Sequence, residues 1–187
     1  MGLNLVGVVG AGQMGNGITQ VVAAKGISVV MMDVNEKSLE KGMATITKSC
    51  DRLIKKEKMS EDEKKTLLSK ITTTTQVSDL KEADFVVEAA TENLELKMKI
   101  FEDLDKHVKE GAILCTNTSS ISITKIAACT SRPEKVAGMH FMNPVPLMLL
   151  VEGIRGIQTS DETFSTVRNF AEQLGKTFVE AKDMPGL

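Results

Sequence analysis

The residues best suited to acid–base chemistry are His140 and Glu152. His140 follows one apolar run, and Glu152 closes the next apolar run twelve residues later. If the two runs form neighbouring strands, the carboxylate lies beside the imidazole, fixes its tautomer and stabilises its protonated form. The pair is then a general acid and base, although the residues alone leave open a packed, hydrogen-bonded structural histidine. His107 lies among lysines and is interpreted as a surface residue, and the chain has no tyrosine that could transfer a proton.

A glycine-rich segment near the N-terminus has the spacing of a phosphate-binding loop. Gly10, Gly12 and Gly15 form a Gly-x-Gly-x-x-Gly sequence directly after a short apolar run. Gly10 allows the tight turn, Gly12 lets a pyrophosphate approach the backbone, and Gly15 lets the following helix pack closely. The N-terminus of that helix, with Gln13 and Met14, would present unpaired N–H groups to the phosphates.

The acid at the end of the second predicted strand indicates which dinucleotide is bound. Asp33 follows the run 27–32 and lies 18 residues beyond Gly15. At that place a carboxylate accepts hydrogen bonds from both hydroxyls of the adenine ribose. It would repel a 2′-phosphate, and no arginine lies nearby to receive one, so the sequence predicts NAD and not NADP. The alternative is a glycine-rich turn in another doubly wound protein.

Composition and charge exclude several other classes. A net charge of −2 gives no footprint for nucleic acid, and the chain has no apolar run of about 18 residues that could span a membrane. The N-terminus enters a strand at once, so no targeting segment is expected. The three cysteines are scattered without metal-ligand spacing, which predicts reduced thiols, a cytoplasmic location and no metal site.

Apolar runs and helical patterns alternate along the chain, which predicts an α/β fold, a Rossmann-like, doubly wound and mainly parallel sheet. Strands are predicted over 5–9, 27–32, 71–74, 84–90, 113–116, 136–139, 149–152 and 177–180. Helices are predicted from the glycine loop to Lys25, over 36–59 and 61–70, from Leu94 to Leu104, and over 161–174. The small polar residues 117–120 after one strand would face the crevice or cap a helix.

The two helices within residues 36–70 form a hairpin inserted after the second strand. The first carries an apolar stripe at helical spacing, and the second follows a capping box from Ser60 to Glu63. Residues 36–70 contain ten Lys and Arg against seven Asp and Glu, a net charge of +3. This helical arm would contact a phosphorylated substrate, and the alternative is a solvated helix face.

The segment His140-Phe141-Met142-Asn143-Pro144-Val145-Pro146, followed by Leu150-Val151-Glu152, resembles the signature of the 3-hydroxyacyl-CoA dehydrogenases. The glycine loop and the segments 88–93 and 116–120 resemble the same family, so the resemblance covers the whole chain. It is strongest to the 3-hydroxybutyryl-CoA dehydrogenases. The resemblance implies hydride transfer between NAD and a 3-hydroxyacyl-CoA or, in reverse, a 3-ketoacyl-CoA such as acetoacetyl-CoA.

The resemblance also implies roles for individual residues. His140 is the general base, Glu152 is its partner, and Ser119 and Asn143 lie near the reacting oxygen. The residues expected to contact NAD are Gly10, Gly12, Gln13, Met14, Gly15, Asp33, Glu92, Lys97 and Asn117, and those expected to contact coenzyme A are Ser49 and Lys56 of the helical arm.

Two departures from the family pattern limit these expectations. Leu149 stands where the family usually has a lysine. The family continues past the Pro-Gly at 185–186 into a helical C-terminal domain, which supplies the dimer interface and part of the substrate pocket. Residues 1–187 are therefore interpreted as the NAD-binding domain alone. The alternatives are an isolated NAD-binding module without catalysis and a dehydrogenase acting on a free 3-hydroxy acid.

Overall fold

A computed structural model describes residues 2–118 and 120–182 of the chain. Within them the strands are β1 (Leu5–Val9), β2 (Ser28–Met32), β3 (Ile71–Thr74), β4 (Phe85–Glu88), β5 (Ile113–Thr116), β6 (Val136–Phe141), β7 (Leu150–Arg155) and β8 (Thr177–Ala181). The α-helices are α1 (Gln13–Ala24), α2 (Glu36–Lys55), α3 (Glu61–Ser69), α4 (Leu94–His107), α5 (Ile123–Ala127) and α6 (Asp161–Gln173), with short 3₁₀ helices at Val77–Leu80 and Pro133–Lys135. None of these helices is long and apolar enough to cross a bilayer.

The strands form one sheet in the order β3-β2-β1-β4-β5-β6-β7-β8. Neighbouring strands run parallel except at β6 and β7, which are antiparallel. The predicted Rossmann-like, mainly parallel sheet is therefore confirmed. The strand order reverses between β1 and β4, and in open sheets of this type ligands bind at the carboxyl ends of the strands beside that reversal.

Both faces of the sheet are buried, and successive residues of a strand belong alternately to two apolar clusters, one on each face. Phe85 and Val86 are neighbours in β4 and both are fully buried. Phe85 belongs to the cluster that includes residues of α1 and α6, where its ring lies 4.7 Å from that of Phe170. Val86 belongs to the cluster on the opposite face with Phe101 and Leu104 of α4. This double burial explains why the central strands are mainly apolar.

The helical arm forms as predicted, but its first helix is shorter than its apolar pattern indicates. The capping box between Ser60 and Glu63 is present at the start of α3. The helix predicted over 36–59 ends at Lys55, because Glu57 adopts a left-handed conformation with φ 58°. The backbone N–H groups of Glu57 and Lys58 then donate to the carbonyls of Ile54 and Leu53 at 2.9 and 2.8 Å, a Schellman ending.

Several predicted strand ends were also wrong, and local hydrogen bonds give the reasons. The strand predicted over 84–90 stops at Glu88, whose side chain accepts the N–H of Ala90 at 2.8 Å and turns the chain away from the sheet. The strands predicted over 136–139 and 149–152 are longer, because they pair in the antiparallel register that joins Phe141 to Val151. The helix after β5 is capped by Ser122, not by residues 117–120.

Arg132 closes the C-terminal end of α4 and was not recognised from the sequence. Its side chain is buried and donates to the carbonyls of Asp105, Val108, Lys109 and Ala112. It also forms an ion pair of 2.9 Å with the Asp105 carboxylate. Burial acts to raise the pKa of Asp105, but hydrogen bonds from Ser131 and Arg132 outweigh it and hold that pKa below its usual value.

We predict that Arg132→Met lowers the free energy of unfolding by about 3–5 kcal/mol, because the mostly buried Asp105 carboxylate loses its counter-charge and four carbonyls lose the Arg132 donor. Urea unfolding at neutral pH measures the loss. The matched control is Arg168→Met, since Arg168 is exposed and stacks over the Phe178 ring at 5.3 Å. That control should cost at most about 1 kcal/mol. Equal losses in the two variants would contradict the role given to Arg132.

Candidate functional site

Two glycines of the loop after β1 are required by the backbone itself. Gly10 has a φ of 111° and donates its N–H to the carbonyl of Met32 at 2.7 Å. A Cβ on Gly10 would lie 2.8 Å from the carbonyl oxygen of Ala89, and one on Gly15 would overlap the carbonyl oxygen of Gly10. The turn and the close packing of α1 against β1 therefore need these glycines, as the spacing predicted.

Gly12 is different, because the fold leaves open space beside it. It is the N-cap of α1 with φ −69°, and apart from its chain neighbours no residue comes within 4 Å of a Cβ built there. The first intrahelical bond runs from Asn16 N–H to the Gly12 carbonyl at 2.8 Å, so the N–H groups of Gln13, Met14 and Gly15 have no helical acceptor. Open space, free N–H groups and the positive end of the helix dipole fit a pyrophosphate.

Asp33 lies at the end of β2 and also holds the glycine loop. One oxygen of its carboxylate accepts the N–H of Ala11 at 2.8 Å, and the other accepts the N–H of Val34 at 2.6 Å. Each oxygen keeps a lone pair that a ribose hydroxyl could use. The adjoining cavity has mainly apolar walls that suit a flat base, and its lining includes Val9, Val34, Val77, Ala90, Ile100 and Leu104.

Glu92 and Asn117 lie on the other side of the strand reversal, beyond the ends of β4 and β5. The exposed Glu92 carboxylate accepts hydrogen bonds from the hydroxyls of Thr118 at 2.8 Å and Ser120 at 3.2 Å. The side-chain oxygen of Asn117 accepts the N–H of Phe141 at 2.8 Å, which ties the end of β5 to β6. Both residues lie beyond the carboxyl ends of their strands, and their contact with the nicotinamide stays a prediction.

The position of Lys97 requires a correction. The residue was expected to line the nicotinamide end, but its side chain is only 1% exposed. Its amine lies beneath the strand ends, 2.6 Å from Glu88 and 3.1 Å from the hydroxyl of Thr116. The sequence feature that could have indicated this buried ion pair is Glu88, an acid at the end of the otherwise apolar strand β4. Ser119, predicted to act near the reacting oxygen, lies outside the described residues.

His140 and Glu152 lie directly opposite each other in the antiparallel pairing of β6 with β7. The imidazole Nδ1 is 3.7 Å from Oε1 of Glu152, and both side chains are partly exposed. Among the described residues, Nδ1 has no hydrogen-bond partner although it is buried. The alternative of a hydrogen-bonded structural histidine therefore has no support at this nitrogen.

A groove between α1, α2 and the loop after β6 brings together three predicted substrate residues. Ser49, Lys56 and Asn143 all line it. The Ser49 hydroxyl accepts a hydrogen bond of 2.9 Å from the buried side chain of Gln20. Arg52 also lines the groove, although the sequence analysis included it only in the net charge of the helical arm and not among the substrate residues. Its spacing of three residues after Ser49 and four before Lys56 could have identified it, because such residues share a helix face.

Comparison with known proteins gives consistent matches over nearly the whole chain. Residues 5–184 match the family model described as 3-hydroxyacyl-CoA dehydrogenase, NAD binding domain. The chain is 49% identical over 180 residues to the 3-hydroxybutyryl-CoA dehydrogenase of Bradyrhizobium diazoefficiens, a match covering 96% of this chain and 61% of that protein. It is 46% identical to the mitochondrial hydroxyacyl-coenzyme A dehydrogenase of Rattus norvegicus, over 97% of this chain and 60% of that one.

A solved structure shows the same relation. The crystal structure of (S)-3-hydroxybutyryl-CoA dehydrogenase from Ralstonia eutropha superposes with a TM-score of 0.97 at 52% identity. The superposition covers 99% of this chain and 65% of that chain. The sequence therefore spans between 60% and 65% of the length of these three relatives.

The contrast between Gly12 and Gly15 gives a test of the cofactor loop. Gly12→Ala should leave the free energy of unfolding within about 0.5 kcal/mol, because its Cβ meets no protein atom. It should weaken NADH binding at least about tenfold, because the methyl group occupies the space of the pyrophosphate. Gly15→Ala should instead destabilise the fold by more than about 4 kcal/mol, since its Cβ overlaps backbone.

Urea unfolding and NADH titration of both variants check this contrast. Unchanged NADH affinity in Gly12→Ala would mean that the dinucleotide does not approach this part of the loop.

Proposed function

This chain belongs to the NAD-binding domain family of the 3-hydroxyacyl-CoA dehydrogenases, and we propose that it carries the reacting groups of an enzyme that interconverts 3-hydroxyacyl-CoA and 3-ketoacyl-CoA. The observation that carries this proposal is the facing pair of His140 and Glu152, 3.7 Å apart, at the carboxyl end of β6. Relatives at 49% and 46% identity bear the names of hydroxybutyryl- and hydroxyacyl-CoA dehydrogenases, which supports a coenzyme A thioester as substrate.

His140 moves the proton in the proposed mechanism. Its Nδ1 faces Glu152, which leaves Nε2 for the 3-hydroxyl of the substrate. Bound NAD supplies the acceptor for the hydride of C3. Nε2 takes the hydroxyl proton as the alcohol is oxidised, and the Glu152 carboxylate stabilises the imidazolium that forms. In the reverse direction the imidazolium returns the proton to the oxygen of the 3-ketone.

The distance between the two side chains bears on this mechanism. At 3.7 Å, Nδ1 and Oε1 are too far apart for a hydrogen bond. Catalytic hydrogen bonds are often long in ligand-free enzymes and tighten when substrate binds. We expect the same here, because Nδ1 has no competing partner among residues 2–118 and 120–182.

Two neutral side chains are proposed to stabilise the reacting oxygen. Asn143 is exposed on the loop that follows β6, a few residues after His140. Ser119 follows β5 in the chain and keeps this role as a prediction from the family resemblance. An amide and a hydroxyl that donate to a developing alkoxide lower the barrier without competing for the transferred proton.

The groove along α2 is the proposed site for coenzyme A. Arg52 and Lys56 are exposed along it, and Ser49 is half-buried at its wall. Two cations on one helix face suit the phosphates of the nucleotide part of coenzyme A. Because Asn143 lines the same groove, a thioester bound there would reach toward the residues that follow β6.

The second candidate is an NAD-binding module without turnover; the chain spans between 60% and 65% of the length of the three relatives compared above. In family members the C-terminal domain is expected to complete the substrate pocket and to form the dimer interface. A spectrophotometric assay with acetoacetyl-CoA and NADH separates the candidates. Oxidation of NADH supports the dehydrogenase, whereas NADH binding without oxidation supports the module.

We predict that His140→Gln lowers kcat for acetoacetyl-CoA by about 10²–10⁴-fold, the usual contribution of a placed general acid or base. NADH affinity should stay within about twofold, because β6 keeps its pairing with β7. His107→Gln is the matched control, since His107 is exposed on α4 and should leave kcat unchanged. Glu152→Gln should shift the pH–rate profile, because it removes the anion beside the imidazole. Loss of NADH affinity in His140→Gln would mean that His140 is structural.

We predict that Lys56→Ala raises KM for acetoacetyl-CoA roughly fivefold, equivalent to about 1 kcal/mol, and leaves kcat unchanged. The matched control is Lys58→Ala, which removes an exposed lysine of the same arm that does not line the groove. Reduction of free acetoacetate should be insensitive to both changes. An equal effect of the two variants on KM would show that only the overall charge of the arm matters, against a specific coenzyme A contact.

A further inference from the structure

A buried amine supports the loop that joins β6 to β7, residues 142–149, which is called the β6–β7 loop below. The Lys176 residue that carries this amine is only 9% exposed. Its Nζ donates to the carbonyl oxygens of Val145 and Met148, each at 2.6 Å. Because the two carbonyls accept from the same nitrogen, the middle of the loop is fixed to one point inside the domain.

The end of α6 sets the place of this amine. Gly175 adopts a left-handed conformation with φ 81°. The N–H groups of Gly175 and Lys176 donate to the carbonyls of Glu172 and Ala171 at 2.9 and 3.0 Å, a Schellman ending. The chain then continues directly into β8, which pairs with β7. Lys176 therefore extends toward the β6–β7 loop from backbone that is fixed on both sides.

A lysine is an expensive residue to bury at this place. Taking an ammonium group out of water is costly unless an anion lies beside it. In the part of the chain that the structure describes, Lys176 forms no ion pair. Burial accordingly lowers the pKa of the Lys176 amine below its usual value. What the amine does is to satisfy two carbonyls of an irregular loop, which indicates that the conformation of that loop is the requirement.

The β6–β7 loop forms one wall of the groove proposed for coenzyme A, because residues 143–147 all line that groove. Val145 is buried and packs so close to α1 that a Cβ on Gly17 would lie 2.9 Å from its own Cβ. The loop begins two residues after His140 and carries Asn143. It therefore joins the proposed thioester site to the proposed proton-transferring residue.

We infer that Lys176 is a positioning residue for the acyl-CoA substrate, which holds the β6–β7 loop, and with it Asn143 and the groove wall, in place relative to His140. Lys176 does not itself line the groove, so it acts through the two carbonyls that it binds. This inference rests on the coenzyme A-dependent function proposed above.

The change Lys176→Met tests the inference, because it keeps an unbranched side chain and removes the donor. The affinity for acetoacetyl-CoA should fall at least about tenfold, whereas the affinity for NADH should change less than about twofold. The backbone N–H groups of Leu147 and Met148 donate to the Pro144 carbonyl at 3.1 and 3.0 Å. Their hydrogen exchange should become at least about tenfold faster. Isothermal titration with each ligand and exchange followed by NMR measure these quantities.

Ile126→Ala is the matched control for a general loss of stability. Ile126 is fully buried in α5 and belongs to the apolar cluster on the face of the sheet opposite to that of Val145. This variant should lower the melting temperature, because it leaves a cavity. Its acetoacetyl-CoA affinity and its exchange rates in the β6–β7 loop should stay within about twofold of the parent.

Lys176→Gln is a second variant that we expect to fold even if Lys176→Met does not. Its side-chain amide keeps two N–H donors and introduces no buried charge. The glutamine side chain is one bond shorter than lysine, so it does not reach both carbonyls together. We expect the same two changes as in Lys176→Met, at about threefold each, with NADH affinity unchanged.

The inference is overturned if either Lys176 variant lowers the melting temperature but keeps the parent's loop exchange or the parent's acetoacetyl-CoA affinity. It is also overturned if the affinities for acetoacetyl-CoA and NADH fall together. Failure of the parent protein to bind acetoacetyl-CoA would instead contradict the proposed function, and the exchange rates would still decide whether Lys176 holds the loop. None of these measurements requires turnover.

Discussion

The close approach of α1 to the end of β1 is the constraint on which the site depends. It exists because Gly15 has no side chain to meet the carbonyl of Gly10, and because Gly10 adopts a φ of 111° that few other residues tolerate. This contact places the N-terminal N–H groups of α1, which have no helical acceptor, next to the strand reversal between β1 and β4. The Asp33 carboxylate then holds Ala11 of the same loop, so the anion site and the ribose-binding acid are fixed relative to each other.

The acid–base pair depends on a different constraint, the antiparallel pairing of β6 with β7, which is the one antiparallel pairing among the described strands. In this register His140 and Glu152 face each other across two backbones, and a shift by one residue would turn them to opposite faces. The sheet therefore brings the proposed proton-transferring groups to the same edge as the cofactor loop. The buried ion pair of Glu88 and Lys97 lies between these two places, and the Thr116 hydroxyl bonds to both, so that it joins strands β4 and β5 inside the domain.

Much of this arrangement could be predicted from residue types and spacing. The glycine loop with Asp33 indicated an NAD site, and the family expected from the motifs is confirmed by the match over residues 5–184. Strand positions were predicted well where apolar runs are buried on both faces, as in β1 and β5. Strand and helix ends were predicted less well, because Glu88 and Glu57 end their elements through local geometry that hydrophobic patterns do not encode.

The linear order of the chain is sufficient to identify the cofactor loop, because the glycines and Asp33 lie within one strand–loop–helix–strand unit. The linear order does not show that His140 and Glu152 lie opposite each other, because that depends on the register between two strands. Nor could it show that Lys97 is turned inward to Glu88, or that Arg132 closes α4 from 27 residues beyond Asp105. A long side chain can reach residues that are distant in the sequence. The tertiary structure therefore decides whether it contacts a ligand or stabilises the fold.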